Sequence, residues 1–241
     1  MFYDPLTTLG FLAAKTKKIH LGTSVLVLPY RNPVVLAKMV STLDVVSDGR
    51  VILGIGSGWI KAEFDALSVA YDKRGKLTDE YIEIMKELWT SDYPEYNGEE
   101  FAFSNINFLP KPHQKPHPPV WVGGQSKKSI QRAARYGDGW HPVGLPPEQL
   151  KEKVAYLNEL LPEEKRETFV ISLRRNVEIN EDREFGADET LRGSPEKIIK
   201  GIGDYIDAGA SHFVLYILSG DLDGVLQTME TLSTTIMPAI R

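Results

Sequence analysis

His141 closes a short apolar stretch, Gly139-Trp140-His141-Pro142-Val143. An imidazole titrates near neutral pH, so a histidine at a strand end can donate a proton or position a substrate oxygen. As a lone histidine followed by proline, it fits a structural hydrogen-bonding role equally well. Gly123-Gly124-Gln125-Ser126 offers different chemistry. Glycines at a strand end that feed a serine-capped helix present unpaired N–H groups and a positive dipole end, which suits a phosphate. Lys127 and Lys128 either add charge there or stand idle at the surface. Gly56-Ser57-Gly58 is a second glycine turn, able to bring backbone amides close to an anion or a flat ring. Its plain alternative is a tight turn that needs small residues. His113 and His117 sit among prolines at a metal-like spacing, but a zinc site needs more ligands than this neighbourhood supplies, and no metal is expected. Arg174 and Arg175 are neighbours on one strand, so at most one reaches a site and the other is expected to meet a helix carboxylate.

These residues need elements to hold them. Arg50 to Ile55 is a β-branched run between Asp48-Gly49 and the glycine turn, as expected of a strand buried on both faces. Helical spacing follows from Trp59 to Leu67 and from Leu77 to Trp89. Ahead of it, Asp4 caps a helix with Pro5 at its first position, Ile19 to Pro29 reads as one buried strand, and Asn32-Pro33 opens a helix to about Val46. Thr90 to Pro119, with Asn97-Gly98 as a hairpin signal and several prolines, reads as an insertion packed over one end of the sheet. The alternation resumes with strand Val120–Gly124, helix Lys127–Tyr136, strand Gly139–Val143, helix Pro146–Leu161 and strand Phe169–Ile179. Asn180 to Arg192 is polar and reads as a mobile loop. A helix from Ser194-Pro195, a strand His212–Leu218 and a helix Asp221–Ala239 complete the pattern.

The 241-residue length matches a (β/α)8 barrel. The expected architecture is a single α/β domain over residues 1–241 of TIM-barrel type, with the insertion at about 90–119. Strands begin at Ile19, Arg50, Val120, Gly139, Phe169 and His212, about six where a closed barrel wants eight. By this count, two strands are expected to be missing in front.

Composition excludes several classes. The net charge is −5 with no Lys/Arg cluster, which argues against nucleic acid as the main partner. There are no cysteines, hence no disulfides or thiolate metal sites. No apolar run approaches the roughly 20 residues that span a bilayer, and Met1-Phe2-Tyr3-Asp4-Pro5 lacks a signal-peptide layout, so the expected location is the cytoplasm.

Several separated motifs, in order, resemble the bacterial luciferase-like monooxygenase superfamily. They are Gly22 to Pro29 with Asn32-Pro33, Leu43-Asp44 through Ser47-Asp48-Gly49-Arg50, Gly54 to Trp59, Lys111-Pro112, Pro118 to Gly124, and Gly137 to Pro142. The similarity is strongest to the coenzyme F420-dependent oxidoreductases. The resemblance implies a barrel with its flavin at the carboxyl ends of the strands and a cis peptide beneath the ring, here at Ser24-Val25. It places Ser57 and Gly58 near the cofactor, in a turn that carries an arginine in bacterial luciferase, so different anion recognition is implied. Trp140 and His141 are expected to point into one cavity, with Trp59 as a wall of the pocket. The implied activity is hydride transfer between F420 and a small organic substrate such as an alcohol, aldehyde or activated alkene. The alternatives are an FMN-dependent monooxygenase using reduced flavin and oxygen, or a non-catalytic truncated barrel acting in binding or assembly. Relatives of this kind form homodimers through helices that correspond to Asp4–Thr16 and Asn32–Val46.

Overall fold

The computed structural model describes residues 3–179 and 190–240. The chain divides into two compact units, residues 1–123 with 135–138, and residues 124–134 with 139–241.

The first unit opens with helix α1 (Pro5–Lys15), whose Asp4 cap accepts a hydrogen bond from the Thr7 amide at 2.9 Å. Strands β1 (Leu21–Gly22) and β2 (Leu26–Val27) follow, then helix α2 (Pro33–Val46), capped by Asn32 on the amides of Val34 and Val35. Strand β3 (Val51–Gly56), helix α3 (Lys61–Ala66) and helix α4 (Arg74–Thr90) come next. Helix α4 begins three residues before the expected Leu77, because the Arg74 guanidinium stacks 3.9 Å from the Tyr71 ring centroid and bonds the Tyr71 carbonyl. Hairpin strands β4 (Tyr96–Asn97) and β5 (Ala102–Phe103) precede strand β6 (Val120–Gly123).

β1, β2 and β6 all run parallel to β3, with Leu21 opposite Val51, Leu26 opposite Ile55 and Leu53 opposite Val120. The uninterrupted strand expected from Ile19 to Pro29 is therefore two short strands. Between them the Thr23 amide still donates to the Ile52 carbonyl at 3.3 Å, and its Oγ1 donates to the Gly54 carbonyl at 2.6 Å. The Ser24–Val25 peptide bond is cis.

Arg50, at the entry to β3, has no sequence signal of its own beyond the turn that precedes it. Its buried guanidinium donates to the carbonyls of Ala13, Thr16, Ile19 and Ser47 at 2.6–3.1 Å, collecting the acceptors that the end of α1 leaves over. Arg50→Lys keeps the charge but loses the planar fork. It is expected to lower unfolding free energy by about 2 kcal/mol, measured by urea denaturation. An unchanged midpoint would mean these carbonyls find water instead.

Two carboxylates are among the groups that fasten the insertion. The buried Glu80 carboxylate of α4 accepts from the amides of Glu100 and Phe101, at 3.1 and 2.9 Å. Further on, Asp44 of α2 accepts from the Gln114 amide and side chain at 2.9 and 2.7 Å.

Helix α5 (Lys127–Tyr136), whose residues up to Ala134 belong to the second unit, leads to strand β7 (Gly139–His141), helices α6 (Pro147–Leu160) and α7 (Glu163–Arg166), and strand β8 (Val170–Ile179). Strand β9 (Thr190–Gly193), helix α8 (Pro195–Asp207), strand β10 (His212–Ile217) and helices α9 (Leu222–Thr231) and α10 (Met237–Ala239) complete it. β8 organises the unit: β7, β10 and β9 all pair with it in parallel. β7 stops at His141, two residues before the expected Val143, because Pro142 has no N–H to continue the ladder. The Arg174 amide still donates to the Pro142 carbonyl at 3.1 Å. Of the loop expected from Asn180 to Arg192, residues 180–189 lie outside the described residues, while Thr190 to Arg192 belong to β9. Thr190 and Leu191 are buried against β8, a burial that a four-residue Thr-Leu-Arg-Gly segment does not announce by any apolar run.

Outside the hairpin the strand pairings are parallel, with helices between most successive strands, so the class is the α/β arrangement of TIM-barrel type. No helix among the described residues is long and apolar enough to cross a membrane.

Candidate active site

At the carboxyl end of β3, Val25 occupies a niche made by missing side chains. A Cβ at Gly56 would lie 2.9 Å from Val25 Cγ2, one at Gly123 would lie 3.0 Å from Cγ1, and one at Gly54 would lie 3.5 Å from Cγ1. Gly54, Gly56 and Gly123 thus admit this isopropyl group, a use beyond the approach to an anion or a flat ring expected of Gly56 and to a phosphate expected of Gly123. Ser24, next to it, is exposed. Ser57 is half-buried, and Gly58 has a φ of +77° with Phe64 and Val27 against the place a Cβ would take, at 2.9 and 2.7 Å. Trp59, expected as a pocket wall, is 80% exposed.

Gly124, Gln125 and Ser126 form an exposed turn ahead of α5. Gly124 has a φ of +105°, and a Cβ there would press on Ser129 Oγ at 2.6 Å. Ser126 Oγ accepts from the Ser129 amide at 3.1 Å, the N-cap bond expected of it. Gln125 is committed on both sides: its side-chain amide donates to the Val143 carbonyl, and its own carbonyl accepts from Lys153 Nζ. Lys127 sits over the Tyr156 ring of α6 at 5.9 Å, while Lys128 is exposed.

Trp140 needs a correction. Consecutive strand residues face opposite sides, and Trp140 is fully buried with its Nε1–H donated to the Gly124 carbonyl at 2.8 Å. It buttresses the glycine turn from behind instead of sharing a cavity with His141.

His141 is 1% exposed, and its Nδ1 lies 2.9 Å from Ser172 Oγ of β8. Burial pushes its pKa down to about 4, with the charges of His212 and Arg174 acting in the same direction. The ring is therefore neutral at pH 7. Arg174 and Arg175 separate by parity as expected. Arg174, two residues from Ser172, shares the face of His141, while Arg175 is buried on the other face with its guanidinium 4.8 Å from the Tyr205 ring of α8. On the helix side this guanidinium meets an aromatic ring. Ser172 and His212 were invisible in the sequence, since neither stands in a motif. Among the described residues no cluster of His, Cys, Asp or Glu could hold a metal ion. His117 instead lies near the Trp89 ring, at 5.9 Å.

The family model for luciferase-like monooxygenases matches residues 1–185. The chain belongs to this family. An uncharacterized protein of Mycobacterium tuberculosis is 33% identical over 211 residues, covering 85% of this chain and 74% of its own. The FMNH2-dependent dimethylsulfone monooxygenase of Pseudomonas putida is 31% identical over 155 residues, which span 63% of this chain and 42% of that enzyme. The structure of the coenzyme F420-dependent tetrahydromethanopterin reductase of Methanopyrus kandleri superposes with a TM-score of 0.86, at 16% identity, over 99% of this chain and 88% of the reductase. Members of the family are oxidoreductases and monooxygenases, as these two enzymes are by name. The fold shared with the reductase is the TIM-barrel type.

Proposed function

We propose that this luciferase-like protein moves a hydride between coenzyme F420 and a small organic substrate, such as an alcohol, an aldehyde or an activated alkene. The observation that carries the reading is the Val25 niche, where Gly54 and Gly56 of β3 and Gly123 at the end of β6 seat Val25 at the carboxyl end of these strands, the place where the family resemblance puts the flavin ring. Ser24, Val25, Ser57 and Gly58 are assigned to the ring and its side chain, and the Gly124–Ser126 turn to phosphate. Three features fit an anion there: an exposed glycine turn, a serine hydroxyl and the N-terminus of a ten-residue helix. A bound deazaflavin supplies the two-electron chemistry, and the protein supplies orientation and a dry surround. Neutral His141 hands a proton to, or takes one from, the substrate oxygen at Nε2. A second reading, a monooxygenase using reduced FMN and oxygen, is supported by the resemblance to the dimethylsulfone enzyme.

Titration with F420 is expected to quench tryptophan fluorescence and raise the melting temperature. At about 100 times Kd, binding stabilises by ~2.7 kcal/mol, roughly 5–10 °C for a chain of this size. FMN doing both while F420 does neither would overturn the deazaflavin assignment, and oxygen uptake with reduced FMN and substrate would establish the second reading. Inertness to both would indicate a binding or assembly protein. The exposed apolar residues Phe11 on α1 and Val35, Met39 and Val46 on α2 support a homodimer through these helices. A monomer by light scattering at micromolar concentration would reject it. A cytoplasmic location is part of the same proposal.

A further inference from the structure

We propose that Ser172 is a proton relay coupling the tautomer of His141 to the protonation of His212. The proposal rests on the proton-handling role given to His141, but its central statement concerns two imidazoles and a hydroxyl and is testable without cofactor or substrate.

Sheet register builds the row. Trp140 is opposite Ile171, which sets His141 level with Ser172, and His212 is directly opposite Ser172. Level residues on parallel neighbours share a face. Ser172 Oγ accordingly lies 2.9 Å from Nδ1 of His141 and 2.9 Å from Nδ1 of His212. Ser172 is completely buried, His141 nearly so, and His212 is partly exposed, so the row runs from an enclosed ring to one that water can reach.

A hydroxyl has one proton to give. If it donates to Nδ1 of His141, then Nδ1 of His212 must carry a proton and donate to Oγ; the mirror arrangement reverses both. Oγ has a second lone pair and could accept from both rings, but its own proton would then have no acceptor among the described residues of a buried site, so the two rings hold complementary protonation at Nδ1. When His141 gives its Nε2 proton to a substrate alkoxide, the Ser172 proton passes to His141 Nδ1. The His212 Nδ1 proton then passes to Ser172, and His212 Nε2 takes one proton from water. One proton enters, one leaves, and both rings are neutral before and after; substrate oxidation runs the row backwards. The relay lets an enclosed imidazole exchange a proton without holding a positive charge that burial disfavours. Among the described residues, Arg174 from β8 and His212 from β10 act on His141 through their charge, and a hydrogen bond to the Ser172 backbone acts in the opposite direction.

A purely structural serine would fix the rings but would not make one follow the other. The test is long-range proton–nitrogen NMR of histidine-labelled, ligand-free protein from pH 5 to 8, with resonances assigned through His141→Gln and His212→Asn. While His212 is an imidazolium its Nδ1–H must donate to Oγ, so His141 is held as the Nε2–H tautomer. As His212 loses its proton, the His141 nitrogens are expected to move toward the average of the two tautomers with the same midpoint. In Ser172→Ala that movement is expected to vanish, and in Ser172→Thr to persist. His141 nitrogens that stay flat across the His212 titration, or that follow it equally in Ser172→Ala, overturn the relay. Should Ser172→Ala not fold, His212→Asn carries the same test, with His141 expected to stop responding to pH in this range; a response that persists there overturns the relay. If the relay holds but His141→Gln leaves turnover intact, it is the proton-handling reading of His141 that fails.

Discussion

Gly54→Ala is expected to lower the melting temperature by about 10 °C or more, or to leave no cooperative transition at all. A Cβ at Gly54 would stand 1.9 Å from the Thr23 carbonyl oxygen and 3.0 Å from its carbon. Both are backbone atoms, so no rotamer relieves the overlap. Thr23 is held from two sides, its amide on the Ile52 carbonyl at 3.3 Å and its Oγ1 on the Gly54 carbonyl at 2.6 Å. Relief means sliding residues 23–25 off β3 and with them the pairing of Leu26 with Ile55. A loss of this kind exceeds ordinary overpacking and is set at about 4 kcal/mol, which for a chain of this size converts to roughly 10 °C. Two controls make the result specific. Gly22→Ala places its Cβ 3.6 Å from the nearest atom, an ordinary contact, and is expected to be nearly neutral. Gly203→Ala, inside α8 with nothing within 4 Å, is expected to stabilise by about 0.5–1 kcal/mol through helix propensity. Calorimetry on the three variants decides it, and a Gly54→Ala protein melting like its parent would mean that the 23–25 segment is not held where described.

His141 sets the second expectation, loss of stability in mild acid. Its pKa is about 4 in the folded chain, against an ordinary value of 6.5. Below pH 6.5 the unfolded chain binds a proton that the folded one refuses, so stability rises with pH between 4 and 6.5 and falls as acid is added. Over that window the single ring contributes on the order of 3 kcal/mol of acid sensitivity. His141→Gln keeps a hydrogen-bonding side chain without a titrating ring. It is expected to flatten that part of the pH dependence while lowering turnover by about 100-fold. Stability curves at pH 4.5, 5.5 and 7 for parent and variant check the sign directly. An equal acid slope in both would assign the sensitivity elsewhere.

The order of helices and strands was readable because its punctuation is local. Asp4-Pro5 and Asn32-Pro33 cap the helices they were expected to cap, and Gly-rich turns end β3 and β6. What escaped was non-local. The interruption at Thr23 depends on a carbonyl meeting Gly54, thirty-one positions on. No spacing rule reaches that far, and Ser24-Val25 was placed only through family resemblance. Glycine identity was legible but glycine purpose was not: Gly56 and Gly123 make room for Val25, a relation visible only once strands are paired. The histidine row is the strongest case. Residues 141, 172 and 212 stand thirty-one and forty positions apart, and a serine in a strand carries no flag.

The ten residues of β8 behave as a measuring rod. β7 is gauged against its first two residues, β10 against Ser172 to Val177, and β9 against Asn176 to Ile179. Inserting or deleting one residue near Ser172 would turn Leu173 or Ile171 toward the two imidazoles and swing the two arginines to each other's sides. Anyone re-engineering this scaffold should therefore leave the length of this strand untouched.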